Sequence, residues 1–298
     1  MTWKTRETER EGDNVEVDGF HSLIGGRMRR FMTVAATMVV AGVLLGATPD
    51  FHRGLLADDL LPAGTLRATF IATNPVQATV DPATGDVRGP ANDLAREFGR
   101  RLGVPVKVTP AMGVNGVLNS VKNGDADIGF LAYDPGRAVE VDFSQPYAIG
   151  QNTFIVLATS PLKTVADVDR PGMVLGATQG DAGELFLTRT LKNAELKRNR
   201  DGVDHALEML RSGDIQAYGT NRQRLDELAK RNPGLRLLPD NFYGVEQSVI
   251  VKKGNQALLD VVDRFLDEAR SSRFVASAIE RAGLVGVDVA PPRPQQAR

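Results

Sequence analysis

The chain has 298 residues, 42% of them hydrophobic and 24% charged, which is enough for one large hydrophobic core or two moderate ones. Its formal net charge of −1 gives no electrostatic reason to expect nucleic acid or an anionic membrane surface as a partner. It contains no cysteine, which excludes disulfides, thiolate metal sites, cysteine nucleophiles and the lipidated cysteine of a bacterial lipoprotein.

The N-terminal segment has the features of a secretory signal. Residues 1–27 are polar, and a basic Met-Arg-Arg start at residue 28 leads into the apolar run Phe31–Leu45 and small residues near Ala47. This apolar run is short for a membrane span of about 20 residues. We therefore assign residues 1–27 to a polar extension and residues 28–47 to a signal peptide, with a membrane anchor as the alternative. The mature protein is expected to be soluble, and periplasmic in a cell with two membranes.

The mature chain begins with alternating strand and helix patterns. Thr65–Ala72 alternates in polarity as a half-buried strand does, and Val104–Val108 is a second strand. The stretch between them has apolar residues at helical spacing and ends at Gly103. This order predicts a parallel sheet with helices on both faces.

The stretch Asn115–Tyr147 has the most informative pattern. It begins with a helix that ends at Gly124 and continues as the buried strand Ala126–Ala132, after which the chain turns. In an open α/β sheet, ligands collect outside the carboxyl ends of the strands, so Arg137 at this turn is a candidate anion anchor. The alternative is a solvated arginine on a surface turn.

The second half of the chain predicts another α/β unit and a return to the first. Asn152–Ala158 is an apolar strand that leaves the first unit, and further strands and helices follow. Tyr243–Val251 is a long apolar strand that leads back, and Asn255–Arg270 is a strongly amphipathic helix. Two crossings predict two α/β lobes joined by a two-stranded hinge, with a cleft between the lobes.

These patterns set the expected domain boundaries. The first lobe comprises residues 60–151 together with 245–285, so it is discontinuous in sequence. The second lobe comprises residues 152–244. We assign residues 286–298, which end in a run rich in Pro, Gln and Arg, to a disordered tail.

The pattern NGDADIGF…R…VDFSQPY resembles the extracellular solute-binding proteins of family 3, the polar amino-acid receptors of ABC importers. The positions that match the family motif are Gly124, Asp125, Asp127, Arg137, Phe143, Ser144, Pro146 and Tyr147. The likeness extends from about Thr65 to about Gly283. It implies a periplasmic binding protein type II-like fold, in which two lobes close over a ligand by bending at the hinge.

The resemblance also implies where a ligand binds. In the family the ligand carboxylate meets the turn arginine, and Arg137 takes that place, where its guanidinium suits a bidentate carboxylate. The family's nearby hydroxyl position is Ala132 here, which leaves only a backbone or water-mediated contact. Asp134 lies where the family often has Thr. It either contacts an ammonium or caps the turn, and we favour the cap.

The other implied ligand contacts depart from the family pattern. Asp181 and Ala182 open a second-lobe helix whose N–H groups suit an anion; we expect Asp181 to face away as an N-cap. Asn221 takes the place of the family's amine-binding aspartate, and its neutral amide weakens recognition of an α-ammonium. Thr73 lies near a position that is aromatic in many members. These departures favour a carboxylate without a standard α-ammonium, or an amino acid bound in another pose.

The function that this resemblance implies is a secreted, monomeric receptor for an ABC importer. Its partners are a small-molecule ligand and the importer's membrane subunits, and it needs no cofactor. The three histidines are too scattered in sequence for a metal site. A second hypothesis is an enzyme on the same fold, similar to the periplasmic cyclohexadienyl dehydratases, which needs a general acid such as Asp134, Asp181 or Glu184 in the cleft. A third is a ligand sensor that works without an importer.

Overall fold

The computed structural model describes residues 60–61 and 63–292. The predicted N-terminal extension and signal peptide, at residues 1–27 and 28–47, lie outside the described residues. Within the described residues, none of the helices combines the length and apolar character needed to cross a membrane.

A mixed ten-stranded sheet runs through the molecule. Its strands are β1 (Leu66–Ile71), β4 (Val106–Ala111), β5 (Ile128–Ala132), β6 (Val141–Leu157), β7 (Val174–Thr178), β8 (Glu195–Asn199), β9 (Ala217–Asn221), β10 (Leu235–Leu237), β11 (Tyr243–Lys252) and β12 (Val287–Val289). They are arranged in the order β4-β1-β5-β11-β6-β9-β7-β8, with β10 and β12 also paired to β6. Two short strands, β2 (Thr79–Val80) and β3 (Val87–Arg88), form a separate hairpin.

Seven helices of the described chain pack on the faces of this sheet. They are α1 (Pro90–Leu102), α2 (Gly113–Asn123), α3 (Ala182–Thr190), α4 (Gly202–Ser212), α5 (Arg222–Arg231), α6 (Gln256–Ser271) and α7 (Phe274–Arg281). The predicted helix ends at Gly103 and Gly124 are confirmed, because both glycines cap their helices in the left-handed conformation, at φ of 73° and 79°.

The first lobe is built on three parallel strands. Strand β1 pairs with β4 on one side and with β5 on the other. Its alternate residues Leu66, Ala68 and Phe70 are buried in one apolar cluster with side chains from α1 and α6. Each large apolar side chain buried in this way stabilises the lobe by about 1.5–3 kcal/mol. The parallel arrangement places the carboxyl end of β5, and therefore Arg137, at one edge of the lobe.

Two antiparallel strands connect the lobes. Strand β6 is 17 residues long; its first part pairs with β11 from Val141↔Lys252 to Asn152↔Tyr243. Its second part pairs with β9 of the second lobe. The two long strands β6 and β11 therefore form the hinge, and the proposed lobe boundaries at residues 151/152 and 244/245 lie almost opposite each other on them.

The second lobe repeats the parallel pattern on a smaller scale. Strand β7 pairs in parallel with both β8 and β9. Apolar clusters fill both sides of this part of the sheet, one around Tyr218 and Ile155 and the other around Phe154 and Leu175. Because both faces are covered there, the central strands β7 and β9 are largely buried, whereas the edge strand β8 is polar and mostly exposed.

The C-terminal segment differs from the prediction. The sequence predicts disorder for residues 286–298, but β12 pairs Val287 with Gly150 and Val289 with Ala148 of β6, and the N–H of Ala290 donates to the carbonyl of Tyr147. The Pro-, Gln- and Arg-rich composition begins only at residue 291, so it does not apply to this strand. Residues 293–298 lie outside the described residues.

Candidate functional site

A cavity of about 500 Å³ lies between the two lobes. All seven ligand-binding residues predicted from the sequence line it: Thr73, Ala132, Asp134, Arg137, Asp181, Ala182 and Asn221. The first lobe contributes residues after the carboxyl ends of β1 and β5, and the second lobe contributes residues after β7 and β9. The volume is in the range of pockets that bind small molecules.

Arg137 is the central cation of the cavity. It begins a short 3₁₀ turn, Arg137–Val139, soon after β5, and is only 6% exposed. Its Nη1 donates to the carbonyl of Ala132 at 2.7 Å, and its Nη2 donates to the carbonyl of Gly180, in the second lobe, at 2.7 Å. Burial lowers the pKa of this guanidinium, while Asp134 and Asp181 act in the opposite direction. An arginine remains charged at neutral pH even so.

The surroundings of Arg137 leave its charge without a carboxylate partner. Among the described residues no Asp or Glu forms an ion pair with it; its two hydrogen bonds go to neutral carbonyls. A buried charge is costly unless an opposite charge or several hydrogen bonds satisfy it. The guanidinium is therefore prepared for an anion that reaches the cavity.

Asp134 has the capping role that the sequence analysis favours. Its Oδ1 accepts from the N–H of Gly136 at 2.9 Å, which is a side-chain-closed turn. Its Oδ2 pairs with Nη1 of Arg189, on α3 of the second lobe, at 3.0 Å. With both oxygens engaged and 5% exposure, Asp134 helps to hold the lobes together.

Asp181 lies at the N-cap position of α3, but its side chain does not cap the helix, in contrast to the prediction. Instead its Oδ2 accepts from the Thr220 hydroxyl at 3.4 Å and pairs with Nη1 of Arg224 at 3.3 Å. Two donors, one of them charged, reach Oδ2 in this arrangement, whereas an N-cap bond would give it one neutral donor. The N–H groups of Ala182 and Gly183 then have no acceptor among the described residues and lie at the cavity wall.

Asn221 is the N-cap of α5. Its Oδ1 accepts from the backbone N–H of Arg224 at 2.8 Å. The amide oxygen is therefore used within the protein, and the Nδ2 group is the part of this side chain that remains for a ligand. Thr73 contributes its carbonyl, which accepts from Nη2 of Arg224 at 2.8 Å, so a further hydrogen bond joins the two lobes.

Arg224 and Asn152 are among the residues of the cavity wall that sequence reasoning missed. Arg224 lines the cavity and contacts both lobes, although its position in the first turn of a polar helix is typical of a solvated arginine. Arg224 lies three residues after the N-cap Asn221, and this spacing could have indicated that it lies near the cavity. Asn152 on β6 also lines the cavity, is 3% exposed and has no side-chain hydrogen bond to any described residue. No local signal identifies it, because its role depends on strand pairing.

No group of three or more His, Asp or Glu side chains placed to hold a metal ion occurs within the described part of the chain. The third acid at the cavity wall, Glu140, pairs with Lys122. Besides these paired acids, the polar groups of the cavity wall include arginines, amides and backbone N–H groups. Such a set binds an anion through charge and hydrogen bonds.

Comparisons with known proteins agree with this geometry. The family model of bacterial extracellular solute-binding proteins, family 3, matches residues 67–281. The L-cystine-binding protein TcyJ of Escherichia coli (strain K12) is 27% identical over 254 residues, which cover 84% of this chain and 93% of that protein.

Solved structures show the same architecture. An ancestral arginine-binding protein bound to arginine is 27% identical, with a TM-score of 0.61 over 73% of this chain and 97% of that one. The ancestral amino acid-binding protein AncCDT-1, a precursor of cyclohexadienyl dehydratase, is 23% identical, with a TM-score of 0.62 over 76% and 97%. At this identity the second likeness shows the fold alone. The predicted α/β fold with two lobes, of the type II periplasmic binding protein kind, is confirmed.

Proposed function

Because this chain belongs to the bacterial extracellular solute-binding proteins, family 3, we propose that it is the solute-binding receptor of an ABC importer and holds a small, amino-acid-like carboxylate between its lobes. The family predicted from the motif around Arg137 is thereby confirmed. The relatives support the solute class, since TcyJ is named for binding L-cystine. The proposal includes docking to the importer's membrane subunits as a monomer, and export through the signal peptide at residues 28–47.

The observation that supports this proposal most is the buried guanidinium of Arg137, which has no acidic partner among the described residues. It is 6% exposed and bonded to two neutral carbonyls, at the wall of a cavity where the N–H groups of Ala182 and Gly183 also lack acceptors within the described chain. A carboxylate placed there satisfies all three groups at once. Hydrogen bonds to charged groups contribute about 1.5–3 kcal/mol each, and a helix N-terminus adds about 0.3–1 kcal/mol.

The experiment is calorimetric titration of the purified protein and of the Arg137→Ala variant with a carboxylate that a thermal-shift screen identifies. Loss of the charged anchor is expected to weaken binding by about 2–3 kcal/mol, which is about 30- to 150-fold in Kd. The control is Arg88→Ala, because Arg88 is an exposed arginine on the hairpin away from the cavity. Equal affinities for the protein and its Arg137→Ala variant would contradict the proposal.

We further propose that the protein is not an enzyme. A dehydratase of the kind considered above needs a general acid that can reach the substrate, whereas Asp134, Asp181 and Glu184 are each held by an arginine, at 3.0, 3.3 and 2.9 Å. Incubation with prephenate or arogenate tests this, and formation of product would overturn it. A sensor that works without an importer is distinguished by the absence of neighbouring permease and ATPase genes.

A further inference from the structure

We propose that the cavity selects a carboxylate whose α-substituent is a hydrogen-bond acceptor, as in a 2-oxo or 2-hydroxy acid, over the corresponding α-amino acid. The inference rests on the proposed function, since it takes Arg137 as the anchor of the ligand carboxylate.

The acids at the cavity wall are already paired with cations. Asp134 pairs with Arg189 and Glu140 with Lys122, and Asp181 pairs with Arg224. Of the two arginines that line the cavity, Arg224 has this acidic partner and Arg137 has none among the described residues. The described cavity wall therefore has an ion-pair partner for each of its acids and none for Arg137, although the charges of Asp134 and Asp181 also act on Arg137. It suits a ligand of net charge −1 better than a zwitterion, because a desolvated ammonium without a carboxylate partner is costly.

Two amide groups of the cavity wall, those of Asn221 and Asn152, offer donors, and of their two oxygens only that of Asn221 is already engaged. Asn221 and Asn152 are directly opposite each other in the pairing of β9 with β6, so their side chains lie on the same side of the sheet, and both line the cavity. The Oδ1 of Asn221 is occupied by the N–H of Arg224, so this amide cannot turn its oxygen to a ligand without uncapping α5. Its Nδ2 group remains, and an N–H donor opposes an ammonium, which is also a donor.

The start of α3 extends this row of donors. A β-carbon added at Gly183 would lie 2.8 Å from Nδ2 of Asn152, so the Asn152 amide lies against the first turn of α3. The N–H groups of Ala182 and Gly183 in that turn have no acceptor within the described residues. These two N–H groups and Arg137 are the donors for the ligand carboxylate, so the donor left for the α-substituent is the Nδ2 group of Asn221. An oxo or hydroxyl oxygen accepts from that group, whereas an ammonium cannot.

Asp181 is the group that would bind an ammonium if the inference were wrong. Its side chain is 30% exposed, and the hydrogen bonds from Thr220 and Arg224 both reach Oδ2. The positive charge of Arg224 at 3.3 Å opposes a second cation there. The experiment therefore includes a variant at this residue.

The experiment is calorimetric titration with matched ligand sets: pyruvate, L-lactate and L-alanine; 2-oxoglutarate, 2-hydroxyglutarate and L-glutamate; and 4-methyl-2-oxopentanoate, its 2-hydroxy analogue and L-leucine. In the set that binds best, the oxo or hydroxy acid is expected to bind at least tenfold tighter than the amino acid. The Asn221→Asp variant is expected to reverse this order, because aspartate caps a helix as well as asparagine does and adds a charged acceptor for the ammonium.

The outcomes separate the inference from the proposed function. If the amino acid binds as tightly as its analogues, and loses affinity in Asp181→Asn, the inference is overturned, while the receptor proposal stands provided that Arg137→Ala abolishes that binding. If no ligand binding depends on Arg137, the proposed function fails and the inference fails with it. Tighter binding of the oxo or hydroxy acid, with the order reversed in Asn221→Asp, supports both.

Discussion

The ion pair between Arg189 and Asp134 is expected to hold the lobes closed, so Arg189→Ala should favour the open form. Nη1 of Arg189, on the second lobe, lies 3.0 Å from Oδ2 of Asp134, on the first. The aspartate side chain is 6% exposed but the arginine side chain is 50% exposed, and solvent screens the pair on that side. We therefore assign this ion pair a free energy of about 1 kcal/mol, a low value for a partly buried pair. It corresponds to about a fivefold change in the ratio of closed to open molecules.

The absence of native cysteines makes the lobe closure measurable by fluorescence. Cysteines introduced by Arg88→Cys in the first lobe and Glu208→Cys in the second, both at exposed positions, can be labelled for energy transfer. Arg189→Ala is expected to lower the transfer efficiency without ligand, and to weaken binding of a carboxylate up to about fivefold, because the apparent affinity falls with the population of the closed form.

Two controls belong to this measurement. Arg189→Lys keeps the charge, and its transfer efficiency and affinity are expected to lie between those of the unchanged protein and of Arg189→Ala. Asp134→Asn keeps the hydrogen bond to the N–H of Gly136, since asparagine closes the same turn, and removes both the charge and the oxygen that pairs with Arg189. A double-mutant cycle over Arg189 and Asp134 should give a coupling of about 1 kcal/mol. Unchanged transfer efficiency and affinity in Arg189→Ala would refute the role of the pair in closure.

Two further predictions concern the stability of the first lobe. Hydrogen bonds from Arg100 and Arg101 lower the pKa of Glu97 to about 2 against the opposing effect of burial. The contribution of Glu97 to stability is therefore present above its ordinary pKa and is lost as the pH falls toward 2. In urea unfolding, Glu97→Gln should reduce the loss of stability on the acid side of the pH profile, and an unchanged profile would contradict this. The hydroxyl of Tyr147 is buried without a hydrogen-bond partner among the described residues. Tyr147→Phe should therefore raise the free energy of unfolding by about 1 kcal/mol. A lower free energy of unfolding would contradict this and would indicate that the hydroxyl has a partner.

Local sequence patterns predict most of the helices and strands of this fold. Apolar residues at helical spacing followed by glycine mark α1, α2 and α4, because only glycine takes the left-handed conformation at a helix end without cost. Gly103, Gly124 and Gly213 all have φ between 73° and 83°. The order of strands and helices then predicts two lobes, since parallel strands need crossover helices.

The elements that sequence reasoning misjudged are those whose structure depends on distant pairing. Strand β6 begins at Val141, eleven residues before the predicted strand Asn152–Ala158. Ser144, Gln145 and Pro146 break the apolar pattern, and the pairing with β11 is irregular opposite Pro146, which is how a sheet accommodates proline. Strand β12 has only three residues, so its alternation is too short to predict a strand.

In the candidate site, too, the positions of the residues could be predicted from the sequence, but the pairing of their side chains could not. All seven predicted residues line the cavity, because each ends or follows a strand or opens a helix, and these positions meet at one edge of the sheet in each lobe. What could not be predicted is how their side chains pair. Asp181 pairs with Arg224 and does not cap its helix, whereas Asn221 caps the helix that it precedes. Both arrangements depend on which side chains the fold brings near these two residues.

The contacts of Arg137 also explain why a receptor of this design would discriminate carboxylates from amides. Its guanidinium joins the lobes through two neutral carbonyls, that of Ala132 in the first lobe and that of Gly180 in the second. A ligand amide can only replace one neutral acceptor by another, so it gains little when the lobes close. A carboxylate replaces a neutral acceptor by a charged one, and hydrogen bonds between ionised groups are roughly twice as strong. A ligand shifts the equilibrium between the open and closed forms only by its difference in affinity for them. Closure of the lobes around Arg137 is therefore expected to favour binding of a carboxylate over binding of an amide.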